Sequence, residues 1–211
     1  IFCRKSDSFF NTISSLNIEK KNFSVFEAKL EDLDNNLKLI SKIENNIDGI
    51  IWVAGYTGDP SEEFNDTQLC QNNINVNFLH PVLIINKLLT KINSNQNSFL
   101  AVITSVAGLR GRAKNLYYGS AKSALISFLS GLRQKLNGKM NVLTIIPGYI
   151  ETKSFNQKAP RFLISSPEKA AQIIVKSIKS KKEIVYINFF WRIIMFVIKL
   201  IPEKIYKKMK F

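Results

Sequence analysis

Tyr118 and Lys122 stand four residues apart in the segment LYYGSAKSAL, so on a helix their side chains share one face. Ser105 precedes the tyrosine by thirteen residues, at the end of the apolar run FLAVIT. The three residue types suit proton exchange with an oxygen atom. A free phenol, with a pKa of about 10, is a poor base at neutral pH, but a neighbouring ammonium favours the phenolate. Tyr118 could then trade a proton with a carbonyl or alcohol oxygen. Ser105 would hold that oxygen by a hydrogen bond, stabilising charge where it develops during hydride transfer. Tyr117 has no lysine four residues on and drops out of the constellation.

Positioning such a trio requires a strand, a loop and a helix, and the chain alternates these elements throughout. Strands are predicted over Phe23 to Phe26, Gly49 to Ala54, Phe99 to Thr104, Val142 to Ile146 and Ile184 to Ile187. Helices are predicted over Asn35 to Ile43, Thr67 to Leu89, Tyr117 to Leu136 and Glu168 to Ile178. Alternation of this kind implies parallel βαβ units. Runs such as GIIWVA and FLAVIT are apolar almost throughout, as strands covered on both faces must be. Ser166 and Pro167 read as the N-cap and first position of the last of these helices. Ligands of such folds bind at the carboxyl ends of the strands, where Ser105 lies.

The Ser105, Tyr118 and Lys122 spacing, with the SVAGLRG loop, resembles the short-chain dehydrogenase/reductase family, whose signature is a serine thirteen positions ahead of the tyrosine of YxxxK. The resemblance implies an α/β fold, a Rossmann-like doubly wound parallel sheet, and oxidoreductase chemistry between a ketone and a secondary alcohol. It further implies that Ala54 and Gly55 line the adenosine side of a dinucleotide, in a strand-end NAG motif where Val53 replaces asparagine. Asn77, with Asn75 two residues away as the alternative, matches the helix asparagine that positions a water near the lysine. Pro147, Gly148, Ile150 and Thr152, in IIPGYIETKSF, match the segment meeting the nicotinamide carboxamide. Arg4, beside Lys5, matches the basic residue that binds a 2′-phosphate, so NADP (NADPH) is expected rather than NAD. In AKLED, Lys29 takes the place of an aspartate beside the adenine, leaving Leu30 to contact it through backbone.

Residues 1 to 48 hold none of the nine glycines and cannot supply the glycine-rich phosphate turn that opens such a sheet. Residues 1 to 4 read as the end of a second strand. The expectation is an N-terminally cut chain lacking its first βα unit, about 30 residues by family comparison. The 211 residues alone are then expected to be unstable and to bind NADPH poorly.

Composition limits partners. Two cysteines 67 positions apart and one histidine, His80, provide neither a disulfide framework nor a metal site, and suit a reduced cytoplasmic compartment. His80 reads as a surface residue of its helix. The net charge is +14, and nine of those charges fall in residues 161 to 211. Residues 189–211 form an apolar and basic helical tail to a single domain over 1–188, broken at Pro202. Arg192, Lys199, Glu203, Lys207 and Lys210 fall on one narrow side of it. This pattern fits peripheral contact with an anionic membrane, on the inner face of the cytoplasmic membrane, or alternatively a substrate lid or dimer contact. No nucleic-acid motif accompanies the charge, so no nucleic-acid partner is expected. The tail and the altered NAG motif resemble the branch containing decaprenylphosphoryl 2-keto-ribose reductases. That resemblance implies a keto sugar on a polyprenyl phosphate, among small-molecule or lipid-linked carbonyl and alcohol substrates; a homo-oligomer is also expected. The competing reading is a non-catalytic NADP-binding sensor or scaffold.

Overall fold

The computed structural model describes residues 1–15, 24–44, 46–56, 66–93, 95–152, 155 and 159–209. Four parallel strands form the central sheet in the order β3 (Gly49–Trp52), β4 (Phe99–Ile103), β5 (Asn141–Ile146) and β8 (Ile184–Tyr186). Register runs from Gly49 opposite Phe99 and Phe99 opposite Asn141 to Thr144 opposite Ile184. Alternate residues of β4 enter opposite cores, as the pleat dictates. Leu100 and Val102 pack with α2 (Leu33–Ser41), α4 (His80–Leu89) and α5 (Leu116–Lys135), through Ile40, Ile85, Leu125 and Leu129. Ala101 instead joins Leu143, Ile145 and Val185 against Ala170, Ile173 and Ile174 of α6 (Pro167–Lys179). The sheet is therefore covered on both faces, as its apolar strands predict.

The predicted elements match within a few residues, and Ser166 caps α6 by accepting from the Lys169 amide at 3.2 Å, with Pro167 first in the helix. Phe23, placed in a predicted strand, lies outside the described residues; β2 occupies Phe26–Glu27 and pairs in parallel with β1, Phe2–Cys3. That pair forms a sheet of its own, and among the described residues no ladder joins it to β3. One helix goes unread from sequence, α1 (Ser6–Ser15). Its start is held from a distance: both the amide and the hydroxyl of Ser6 donate to the Glu27 carboxylate, at 2.8 and 2.6 Å.

One departure and one expected break bear on the site. The predicted helix from Thr67 to Leu89 is α3 (Thr67–Ile74) and α4 joined by a π turn over Asn75–Leu79. The tail divides at Pro202 into α7 (Phe189–Leu200) and α8 (Glu203–Tyr206). Between β5 and α6, β6 (Tyr149–Ile150) pairs in parallel with β7 (Ile164–Ser165).

Glycines separate the contacts that cannot give from those that can. A Cβ on Gly108 would lie 2.7 to 2.9 Å from the α5 backbone at Lys122 and Ser123, whereas one on Gly131 meets nothing within 4 Å. Gly108→Ala is therefore expected to cost about 1–3 kcal/mol of stability by forcing backbone apart. Gly131→Ala, in the interior of α5, should gain up to about 1 kcal/mol. Chemical denaturation of the two variants checks the contrast, which equal effects would contradict.

Candidate active site

Strand β4 delivers Ser105 to the carboxyl edge of the sheet. Three bonds hold that strand end to β5 and the residue after it: the Thr104 amide and hydroxyl each donate to the Ile145 carbonyl at 2.8 Å, and the Val106 amide donates to the Pro147 carbonyl at 3.0 Å. Ser105 then caps a short 3-10 turn, Val106–Gly108, its hydroxyl accepting from the Ala107 amide at 3.1 Å. This turn lies directly on α5. Gly119 admits the Ala107 carbonyl at 3.0 Å from where a Cβ would sit, and Gly108 admits the helix backbone at Lys122. Backbone thus rests on backbone on both sides of the trio.

On α5 the Lys122 ammonium lies 5.6 Å from the centroid of the Tyr118 ring. Lys122 is 3% exposed, and burial pushes its ammonium down to about 8 from the ordinary 10.5. Burial likewise raises the Tyr118 phenol, with a side-chain hydrogen bond from Ser105 acting in the opposite direction. The simple expectation that a nearby ammonium lowers the phenol is not met in this state. Burial sets the direction, and the Ser105 hydrogen bond opposes it only in part.

Asn77 completes the centre and displaces Asn75 as the asparagine to consider. It is fully buried in the π turn, a type of insertion frequent at functional sites. Its carboxamide reads the backbone of Tyr56 in both directions, accepting from the amide at 2.9 Å and donating to the carbonyl at 2.7 Å. It also donates to the Asn73 carbonyl at 3.2 Å. Between them lies Gly55, whose absent Cβ would sit 3.0 Å from Lys122 Nζ and 3.2 Å from Asn77 Oδ1. The strand-end loop after β3 is therefore pinned over the lysine, with Val53, Ala54 and Gly55 all exposed.

The other expected residues are placed less tightly. Pro147 and Gly148 follow β5 at the same sheet edge as Ser105, and Ile150 lies in β6. Thr152 is exposed, and the adjoining Lys153 and Ser154 lie outside the described residues. Arg4 follows β1 and forms an exposed ion pair with Glu31 at 2.9 Å, a neighbour the sequence reading overlooked. Such a pair contributes at most about 1 kcal/mol and can be exchanged for another anion. The Leu30 carbonyl accepts from His80 Nδ1 at 2.6 Å, which ties α4 to this loop and still leaves the carbonyl a second lone pair.

Sequence reasoning also missed how the tail closes on the site. Trp191 of α7 fills the space beside Gly148, where a Cβ would fall 1.9 Å from the indole nitrogen, and stacks edge-on against Tyr149 at 5.2 Å. Arg110, two residues beyond the 3-10 turn, donates to Glu203 at 2.7 Å and to the Lys199 carbonyl at 3.2 Å, and covers the Tyr206 ring at 4.2 Å. Tyr206 in turn donates to the Gly111 carbonyl at 2.7 Å.

The short chain dehydrogenase family model matches residues 1–161. An uncharacterized oxidoreductase of Mycobacterium tuberculosis is 27% identical over 160 residues, covering 75% of this chain and 64% of that protein. The chain thus spans just under two thirds of the length of that relative. The ketoacyl reductase HetN of Nostoc is 32% identical over 124 residues, covering 56% of this chain and 43% of its own. Among solved structures, a short chain dehydrogenase from Burkholderia cenocepacia in complex with NADP superposes with a TM-score of 0.78 at 16% identity, covering 98% of this chain and 84% of that one. A Shigella flexneri short chain dehydrogenase complexed with NADP gives 0.74 at 20%, covering 88% and 83%. These likenesses show a Rossmann-like fold.

Burial of Lys122 has a measurable sign. Its folded pKa lies below its unfolded one, so the unfolded chain binds the extra proton between pH 8 and 10.5 and stability rises with pH through that window. Below pH 8 the full penalty remains. Lys122→Met is expected to be more stable than the parent at pH 7 by on the order of 3 kcal/mol, the difference closing toward pH 10.5. Denaturant melts of both proteins across pH 7 to 10 test this, and parallel curves would contradict it.

Proposed function

The chain belongs to the short-chain dehydrogenase family, and we propose that within it the protein is an NADP-dependent oxidoreductase interconverting a ketone and a secondary alcohol. The observation carrying this reading is the placement of Ser105, Tyr118 and Lys122 around one strand end, locked by backbone contact between the 3-10 turn and α5. Gly55 supports a fit to a dinucleotide: lacking a Cβ, it lets the strand-end loop sit close over Lys122 and Asn77 while the backbone of residues 53–55 stays exposed to a ligand. Ala54 and Gly55 would hold the adenosine side, with Leu30 contributing through its backbone. Pro147, Gly148, Ile150 and Thr152 would meet the nicotinamide side. Arg4 would exchange Glu31 for a 2′-phosphate, which favours NADP over NAD.

When bound, the nicotinamide supplies the hydride. This chain's own residues manage the proton. Tyr118, kept neutral by burial, gives its proton to the substrate oxygen during reduction, and Ser105 holds that oxygen by hydrogen bond. Lys122 keeps a positive charge beside the phenol below about pH 8 and so limits the cost of the phenolate left behind. Asn77 fixes residues 55 and 56 over the lysine, where a carboxamide can also position a water. For substrate, the basic and apolar tail packed beside Gly148 supports a lipid-linked carbonyl compound, a keto sugar on a polyprenyl phosphate, met at the cytoplasmic face of a membrane.

The test is NADPH oxidation by the full-length protein over a panel of water-soluble and lipid-linked ketones. Tyr118→Phe is expected to lower kcat by at least about 100-fold with cofactor affinity little changed. An unchanged rate would show that the turnover does not use this centre.

A further inference from the structure

Helix α7 carries an apolar row on the side turned away from the protein. Trp191 and Met195 are buried, while Phe189, Ile193, Phe196, Val197 and Leu200 are exposed, with Phe196 and Leu200 65% and 67% exposed. Their spacing of 4, 3, 1 and 3 residues places them on one continuous stripe. The stripe extends beyond the helix: Phe190 packs edge-on against Phe162 at 5.3 Å, and Phe162 is itself exposed. So large an outward apolar face on a helix already docked by its other side signals a partner.

Charge decides which partner. Arg192 and Lys199, seven residues apart, are exposed along one flank of the stripe, and Lys204, Lys207 and Lys208 are exposed just beyond it. The sole acid in residues 189–211 is Glu203, which is engaged by Arg110. A second copy seated on this face would oppose like charges across an apolar contact, in a chain that already carries +14. An anionic bilayer supplies both what the stripe and what its flank lack. At 12 residues α7 is about 18 Å long, and no helix among the described residues is long and apolar enough to cross a membrane.

We propose that α7 lies flat in the headgroup region of an anionic membrane, with Phe189, Phe196 and Leu200 inserted and Arg192 and Lys199 on the lipid phosphates. The opposite side of the same helix holds the active-site edge through Trp191 against Gly148, so docking sets that edge at the membrane surface. A substrate carried on a lipid then presents its headgroup beside that edge while its chain stays in the bilayer. The substrate half of this inference rests on the oxidoreductase reading, while the docking half stands without it.

Flotation of the full-length protein with vesicles separates the two halves. With vesicles of phosphatidylcholine and 30 mol% phosphatidylglycerol, about the anionic content of a charged bilayer, the protein is expected to float. On pure phosphatidylcholine, or with Phe196→Glu/Leu200→Glu or Arg192→Glu/Lys199→Glu on the mixed vesicles, binding should fall by at least about ten-fold. Val175→Glu, at an exposed apolar site on α6, serves as control and should float like the parent. Each variant should turn over a water-soluble ketone at the parental rate, showing that it is folded. Failure of the parent to float, or equal flotation of the Phe196→Glu/Leu200→Glu protein, overturns the proposal. So does a dimer, measured by light scattering, that these substitutions dissolve while no vesicle binds. Flotation without turnover of any ketone sustains the docking and removes the oxidoreductase reading.

Discussion

The site depends on one contact, the seating of the Val106–Gly108 turn directly on the backbone of α5. Gly108 and Gly119 each stand where a side chain would push the two segments apart, and they interlock from opposite sides. Because Ser105 caps that turn and Tyr118 and Lys122 flank Gly119 on the helix, the contact sets the separation of all three. The hydrogen bonds from Thr104 and Val106 to β5 and the residue following it prevent the turn from drifting along the sheet. Strand, turn and helix thus form one packed unit, as the proposed proton-transfer centre requires, since small displacements of reacting groups lower rates steeply.

Around this unit the protein tolerates two costly features. Lys122 is buried as a cation with its pKa depressed, and the Asn77 carboxamide is buried in an irregular turn. Asn77 meets its cost through bonds to Tyr56 and Asn73, whereas Lys122 remains a source of instability. The tail strengthens the periphery. Arg110 closes over the end of α7 and the ring of Tyr206, and Trp191 occupies the space left by Gly148. A helix that faces outward with bare aromatic rings is therefore anchored at both ends to the site's own loops.

Much of this was legible in the sequence for identifiable reasons. The apolar strands, the Ser166 cap and the break at Pro202 depend on local patterns, and each lies where those patterns put it. The Ser105, Tyr118 and Lys122 trio was readable because one strand, one loop and one helix carry it. What escaped depends on residues far apart in the chain. Helix α1 starts where Glu27 accepts from Ser6, Arg4 meets Glu31, and His80 holds the Leu30 carbonyl across fifty positions. The π turn gave no periodic signal because it shifts the helix phase within a single turn. The tail was read as basic on one side and apolar elsewhere, but which apolar side is buried is decided by Trp191 finding Gly148. The phenol of Tyr118 was expected to be lowered by its lysine, and burial, invisible in a spacing, reversed the direction.

In the proposed reaction Ser105 and Tyr118 act together on one substrate oxygen, and a double-mutant cycle measures this most directly. Values of kcat/KM for ketone reduction would be taken for the full-length parent, Ser105→Ala, Tyr118→Phe and the double variant under identical conditions. Groups that serve one oxygen as a unit are strongly non-additive. The double variant is therefore expected to be no more than about ten-fold slower than Tyr118→Phe alone, although Ser105→Ala by itself costs on the order of 100-fold. Losses that simply multiply would show that the two side chains act independently, and would contradict the account of the site given by the turn seated on α5.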